Sequence, residues 1–254
     1  MLKIHLVPCL KDNYAYLVHE PKSNAVAIVD PSEAAPVIAA LSQHNLKLTH
    51  IFNTHHHWDH TGGNLELKKE TGAKITGPKH DAERIPGIDI GVAEGDTVEL
   101  GQVRAQILDI PAHTKHHIAF WFGQDNAVFT GDTMFAMGCG RLFEGTPAQM
   151  WTSLNKLAAL PGETRVYCGH EYTLSNAKFA LTVEPNNAAL RKRFTEIERL
   201  RADGKPTIPS TIAQERDTNP FLRAASRDLR TTLGMTDATD VEVFAETRKR
   251  KDSF

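Results

Sequence analysis

Seven consecutive residues, Thr54-His55-His56-His57-Trp58-Asp59-His60, constrain this chain more than any other segment. They follow a short apolar stretch, His50 to Asn53, that reads as a strand running into a polar loop. Four potential ligands, His55, His57, Asp59 and His60, stand there at i, i+2, i+4 and i+5. A cluster of this kind at a strand end can turn several side chains into one cavity. Neutral imidazole together with carboxylate suits zinc, iron(II) or manganese(II). A solvent-facing histidine patch is the competing explanation for the segment taken alone. It weakens further along the chain. His113 follows Ile110-Pro111-Ala112, Asp132 follows Phe129-Thr130-Gly131, and His170 follows Tyr167-Cys168-Gly169. Four separate strand ends carry ligand-type residues beside glycine or proline.

The surrounding pattern is of strands alternating with helices. Lys3–Val7, Tyr14–Val18 and Ala25–Val29 read as strands, with a Lys11-Asp12-Asn13 turn between the first two. Ser32 to Asn45 has helical spacing and Ser32 is a suitable N-cap. Leu65–Glu70 reads as a helix, as does Pro147–Ala159, where Pro147 suits a first turn. Between and around them, Thr97–Leu100, Val103–Ile110, Ile118–Phe122, Ala127–Thr130 and Arg165–Tyr167 read as strands. This predicts two sheets with helices outside them. After Tyr172 the texture changes to Ala, Leu, Arg and Glu, with helices predicted over Asn187–Ala202 and Val241–Lys251. A division into 1–174 and a small helical domain over 175–254 follows.

Charge supports that division. The chain carries 29 basic and 31 acidic residues, of which 15 and 12 fall after residue 174. All 13 histidines lie at or before His170. An acidic front is a poor surface for a polyanion, so nucleic acid is not an expected partner. No apolar run approaches the ~18 residues that span a bilayer, and no signal-peptide pattern opens the chain. Cys9, Cys139 and Cys168 form no paired framework, which predicts free thiols and a cytoplasmic location.

The motifs H-x-H-x-D-H, H-T, G-D-T and G-H together resemble those of the metallo-β-lactamase superfamily. Gly138-Cys139-Gly140-Arg141-Leu142-Phe143-Glu144-Gly145-Thr146 and Gly169-His170-Glu171-Tyr172-Thr173 narrow the resemblance to the glyoxalase II, or hydroxyacylglutathione hydrolase, family. The resemblance covers essentially the whole chain. It implies an α+β fold: a four-layer αββα sandwich followed by a small all-helical C-terminal domain. It implies two divalent cations, with zinc favoured and iron or manganese as alternatives. His55, His57 and His113 would hold the first, Asp59, His60 and His170 the second, and Asp132 would bridge them. Asp59 and Asp132 are thereby also marked as residues of catalysis. A shared carboxylate suits cations ~3.5–4 Å apart, and a water between them loses a proton near pH ~7. His56 and Trp58 fall at the x positions and should point away.

The same resemblance assigns Arg141, Leu142, Phe143, His170, Glu171, Tyr172, Arg248, Lys249, Arg250 and Lys251 to a glutathione site. The expected reaction is hydrolysis of S-(2-hydroxyacyl)glutathione, chiefly S-D-lactoylglutathione, to D-lactate and glutathione, by a monomer. An iron-dependent glutathione persulfide dioxygenase and a nucleic-acid phosphodiesterase are the alternatives. Three positions depart from the family pattern. Pro111-Ala112-His113-Thr114-Lys115-His116-His117 replaces both glycines of the usual P-G-H-T-x-G-H, and Phe143 replaces a common tyrosine. If either glycine position needs φ > 0, its replacement is strained. His116 is expected beside the ligand set, and His117 in a packing or hydrogen-bonding role. Asp30 is expected either to orient the histidine loop or to cap a helix, and Cys139 to pack.

Overall fold

Valine, isoleucine and phenylalanine are concentrated in short runs before residue 131, and these runs pair into two sheets. The computed structural model describes residues 1–254 and divides into two units. The first comprises Met1–Asp109 and His116–Gly131, the second Ile110–Lys115 and Asp132–Phe254.

In the first unit, β1 (Lys3–Cys9), β2 (Asn13–Glu20), β3 (Ala25–Val29), α1 (Ala34–His44), β4 (His50–Phe52), α2 (Trp58–Thr61), α3 (Asn64–Thr71), β5 (Lys74–Pro78) and β6 (Ile90–Val92) come first. The six strands form one sheet in chain order. β1 to β3 pair antiparallel and β3 to β6 parallel. β7 (Thr97–Leu100), β8 (Val103–Asp109), β9 (Ile118–Phe122) and β10 (Ala127–Gly131) then form a second, antiparallel array. Phe52 of β4 stacks on Phe120 of β9 at 5.0 Å, and Tyr16 of β2 meets Phe129 of β10 at 5.6 Å, so the two arrays pack face to face. On the other face of the first sheet, Val37 and Leu41 of α1 and Leu67 of α3 join Val7, Leu17, Ile28, Ile51 and Ile75 in one buried cluster. Three of the four expected layers, helix–sheet–sheet, are therefore carried by the first unit. β2 is buried on both faces and β7 on alternate residues, as a central and an outer strand require.

The second unit contains the β11 (Met134–Phe135) and β12 (Gly138–Cys139) hairpin, α4 (Pro147–Ala158), β13 (Arg165–Cys168), α5 (Thr173–Val183), α6 (Ala188–Ala202), the two-residue β14 (Ser210–Thr211), α7 (Ile212–Thr218), α8 (Arg227–Leu233) and α9 (Asp240–Asp252). Threonine capping boxes start α4, α7 and α9 at Thr146, Thr211 and Thr239. Met137, Ala177, Ala180, Leu190 and Ile197 form an apolar cluster. Beside it the buried Glu215 accepts from the Met137 N–H at 2.7 Å and from Arg193 at 2.9 Å. No helix is long and apolar enough to cross a membrane.

Two local expectations are corrected. Ser32 does not cap α1; the N-cap is Glu33, without a side-chain bond, and the Ser32 hydroxyl goes to the Asp59 carbonyl at 2.5 Å instead. Asn13 is not in the turn but opens β2, opposite Cys9. Both residues were drawn off by a long-range partner, Asp59, that local spacing does not reveal.

Candidate metal centre

The histidine loop leaves β4 and re-enters regular structure at α2, a helix too short to hold itself. Neighbouring side chains hold it. Asp30 follows β3 at φ 49°. One carboxylate oxygen accepts from the Thr54 N–H at 2.8 Å; the other accepts from the Thr54 hydroxyl at 2.7 Å and lies 3.2 Å from His60 Nδ1. Asp30, His55 and His60 are all buried, with candidate ligand atoms within 4.8 Å. Because both Asp30 oxygens already accept, its role is to orient the loop, as one of the two sequence expectations had it. Asn13 donates to the Asp59 carbonyl and to Asp59 Oδ2, at 3.0 and 3.1 Å. Asn53 donates to the His60 carbonyl, and Thr61 to the His57 carbonyl.

These bonds aim one nitrogen of each ring at a common region. His55 Nε2 lies 3.2 Å from His57 Nδ1, and His60 Nε2 lies 3.6 Å from Asp59 Oδ2. His55 Nδ1 faces the Thr54 hydroxyl at 3.0 Å. A ring with one nitrogen on a fixed polar partner and the other turned to neighbouring ligand atoms is the arrangement a metal ligand needs. His56 turns away: its Nδ1 meets Asp81 at 3.1 Å and its Nε2 meets Arg84 at 3.1 Å. Trp58 is exposed. His117 stacks on His55 at 4.5 Å, with its Nδ1 3.1 Å from the Ile118 carbonyl, so it packs and bonds as expected. Gly131 has φ 47°, and a Cβ there would run into the Thr54 hydroxyl and the His117 ring.

The second unit repeats the logic with three candidate ligands. His113 Nδ1 lies 3.0 Å from the Arg141 carbonyl, while its Nε2 lies 3.4 Å from Asp132 Oδ2. His170 Nε2 lies 3.3 Å from the same oxygen, with Tyr172 stacked on its ring at 4.7 Å and 4°. One carboxylate oxygen thus serves two imidazoles, which is the disposition expected of a shared ligand. At Gly140 a Cβ would collide with the Asp132 carbonyl and the His113 ring. Ala112, next to His113, has φ 129°, so the first replaced glycine does occupy a positive-φ position. His116 does not.

The residues assigned to glutathione divide into two groups. Arg141, Phe143 and Tyr172 are exposed, Leu142 is half-buried, and Phe143 leans on His113 at 5.2 Å. Lys251 is half-buried; burial, then Arg248, then Arg141 push its ammonium down to about 8. It donates to the Ser175 carbonyl and hydroxyl at 3.3 and 3.2 Å and lies over Phe179 and Phe254. The others are held more firmly in the fold. Arg248 is buried, donating to the Cys139 carbonyl at 2.8 Å, pairing with Asp252 at 2.9 Å and lying over Phe221. Arg250 pairs with Glu246 one turn away, and Lys249 is exposed. The Glu171 carboxylate accepts from Thr207 N–H and hydroxyl at 2.8 and 2.7 Å. Arg248 and Lys251, expected to share one task, therefore differ. Burial pushes the Cys139 thiol up to about 11, so it is no thiolate at neutral pH. Sequence reading missed Asn13, Ser32, Asp81 and Arg84 as supports of the loop; only their chemistry as side-chain donors and acceptors hinted at it.

Two family models match this chain. Residues 11–170 match the metallo-beta-lactamase superfamily model, and residues 171–254 match the model described as hydroxyacylglutathione hydrolase C-terminus. The hydroxyacylglutathione hydrolase of Methylococcus capsulatus is 55% identical over 254 residues, covering 100% of this chain and 99% of that one. The chain belongs to the hydroxyacylglutathione hydrolase family, within the metallo-β-lactamase superfamily. The Rhodospirillum rubrum hydroxyacylglutathione hydrolase is 54% identical, with 100% and 99% covered. Among solved structures, that of ETHE1 from Myxococcus xanthus aligns over 100% of this chain and 99% of its own, at 25% identity and a TM-score of 0.67. Family membership and the His/Asp clusters make this a divalent-metal protein of α+β class.

Proposed function

We propose that this chain is a thioester hydrolase that converts S-(2-hydroxyacyl)glutathione, chiefly S-D-lactoylglutathione, to the 2-hydroxy acid and glutathione. Full-length likeness to hydroxyacylglutathione hydrolases supports the reaction. The observation that carries the substrate is the basic set of the second unit. Burial, with Arg248 and Arg141 adding to it, lowers the Lys251 ammonium, and Asp252 is the one carboxylate that pairs with the two arginines. A group of cations short of anions is built to receive carboxylates, and glutathione carries two. On this assignment Arg141 to Phe143, His170 to Tyr172 and Arg248 to Lys251 surround the glutathione portion, with Lys251 and Arg141 making the charged contacts. Arg248 holds the Cys139 carbonyl in place.

His55, His57 and His113 would hold one cation, Asp59, His60 and His170 the other, with Asp132 shared; zinc is the proposed metal. Two such cations, when bound, supply an acidified water and positive charge for a developing oxyanion. The chain's own side chains do the rest. Asp30, Asn13 and Thr54 fix the ligand orientations before substrate arrives. Asp59 and Asp132 contribute the negative charge that lets two cations approach. Water adds to the thioester carbonyl, the C–S bond breaks, and the sulfur leaves as thiolate. A thiol has pKa ~8.5, so its departure needs no strong general acid. Cys139, held as a thiol, is not the nucleophile.

We further propose functional domains over 1–174 and 175–254, a monomer, and a cytoplasmic location, the last supported by three buried free cysteines. The test runs the purified protein on S-D-lactoylglutathione, watching thioester absorbance, beside oxygen uptake with glutathione persulfide and cleavage of a labelled RNA. Thioester loss alone is expected. Oxygen uptake or RNA cleavage without thioester loss would overturn the reading. Elemental analysis of protein purified without added metal identifies the ion.

A further inference from the structure

We propose that His80 and His116 form an additional metal site, a two-imidazole chelate for a borderline divalent transition ion, distinct from the seven-residue ligand set. Both residues lie in the first unit. His80 stands in the short turn Lys79–Arg84, and His116 two residues before β9. Their ring centroids are 5.2 Å apart with 41° between planes. Two metal–nitrogen bonds of ~2.1 Å place imidazole centroids about 4.6 Å apart at a square-planar angle and about 5.3 Å apart at a tetrahedral one, so the pair spans the range of copper(II) and zinc(II). His55 and His57, assigned to one cation, are 4.7 Å apart, on the same scale. The other histidine pair outside the ligand set, His5 and His44, is stacked at 3.8 Å and 28°, so its ring nitrogens cannot converge on one ion.

Availability points the same way. Neither His80 nor His116 has a hydrogen bond or an ion pair, whereas nearby His56 has both nitrogens engaged by Asp81 and Arg84. His80 is exposed and His116 half-buried, so an ion can enter with water completing its coordination. His116 stands at a position where the resemblance to the family leads one to expect glycine. Two neutral imidazoles bind copper(II) more tightly than nickel(II) or zinc(II). An ion there ties the 79–84 turn to the approach of β9, one residue from His117, whose ring stacks on His55.

The experiment uses the protein carrying its full complement of resident metal. Equilibrium dialysis against copper(II), and separately zinc(II), is run on wild type, His80→Ala, His116→Ala and, as a control, His5→Ala. One further ion per chain is expected in wild type and in the control. The copper(II) paramagnetic resonance spectrum should show coupling to two nitrogens. Each of His80→Ala and His116→Ala should weaken that ion about tenfold or more, on the scale of perturbing a metal's immediate surroundings. Binding to the folded state alone raises the melting temperature with added copper(II), and that rise should vanish in the same two variants. No further ion in wild type, or a further ion bound as tightly in either variant, would overturn the proposal.

Discussion

The two ligand-bearing regions reach similar ends by different means. In the first unit four proposed ligands are crowded into six residues, and the loop is braced by side chains recruited from far away in sequence: Asn13, Asp30 and Ser32. In the second unit three proposed ligands come from three separate segments, and their supports are largely backbone: the Arg141 carbonyl and the close approach at Gly140. A dense loop needs outside partners because its own backbone makes few regular bonds. Dispersed ligands take their position from the strand or turn that bears each one. Side-chain bracing fails when one atom is removed; backbone bracing fails when a Cβ is added.

The largest effect separating the two regions should come from Asp132→Ala. Asp132 is the one carboxylate facing both His113 and His170, so nothing backbone-made can replace it. Bound metal should fall and kcat/KM should drop by more than the roughly 10–100-fold that losing a ligand's supporting partner costs. Metal analysis beside thioester kinetics checks it. Two ions per chain with near-normal turnover would remove Asp132 from the shared position.

Asp30→Ala tests the braced loop and should fall inside that roughly 10–100-fold range. It frees Thr54 and His60 Nδ1 together while leaving the ligands present. The loss should show as weaker metal affinity in a chelator titration, partly restored at high metal. A loss of turnover with metal affinity unchanged would mean Asp30 acts on something other than ligand orientation.

How much of this was legible in the sequence follows the same contrast. The seven proposed ligands could be read because their motifs resemble those of the family and lie at strand ends, with Asp132 and His170 directly after glycine. Asp30 could be read from its place at a strand end, before Pro31. Asn13 and Ser32 could not: they reach Asp59 across 46 and 27 residues, a pairing no spacing rule encodes. β5 was missed because Lys-Ile-Thr-Gly-Pro carries turn residues, though as a parallel inner strand its last four residues are buried. α7 was missed because its buried face includes Glu215, a charge that packing alone does not predict. The basic run at 248–251 was legible as a cluster, but its division into a buried Arg248 and a half-buried Lys251 depends on Cys139, Phe221 and Asp252 for the first and on Ser175, Phe179 and Phe254 for the second.

That division predicts a moderate effect away from both ligand regions. Lys251→Ala should raise KM for the glutathione thioester roughly 5- to 100-fold with little change in kcat, the pattern of a contact equal in ground and transition states. The sign with pH follows from the ammonium at about 8. Carboxylate binding favours the protonated form, so below pH 8 this group adds no dependence, and above it kcat/KM falls as the ammonium is lost. Lys251→Arg should remove that alkaline fall. A thioester lacking the glutathione carboxylates should show neither effect; an equal kcat loss for both substrates would make Lys251 structural.

The smallest effect sharpens the comparison within a single segment. Ala112 and His116 both replace glycines, yet only Ala112 has positive φ, at 129°. A side chain forced into that region costs about 1–3 kcal/mol. Returning it to glycine relieves the strain but loosens the unfolded chain, which costs about 0.4–1 kcal/mol. The strain is the larger quantity, so Ala112→Gly should stabilise by roughly 1 kcal/mol, about 2–4 °C in melting temperature for a chain of this size. At His116 there is no strain to relieve, so His116→Gly should lower the melting temperature through the same unfolded-state effect. Opposite signs four residues apart would show that backbone conformation, rather than glycine content, governs this stretch. Equal signs would mean the Ala112 strain is absorbed by its neighbours: the Ala112 N–H donates to the Thr114 carbonyl at 3.0 Å, and the Ala112 carbonyl accepts from the Glu144 N–H at 3.4 Å. The His113 ring would then owe its position to those bonds and to the Arg141 carbonyl, and turnover in Ala112→Gly should stay within about twofold of wild type, a ΔΔG‡ of about 0.4 kcal/mol.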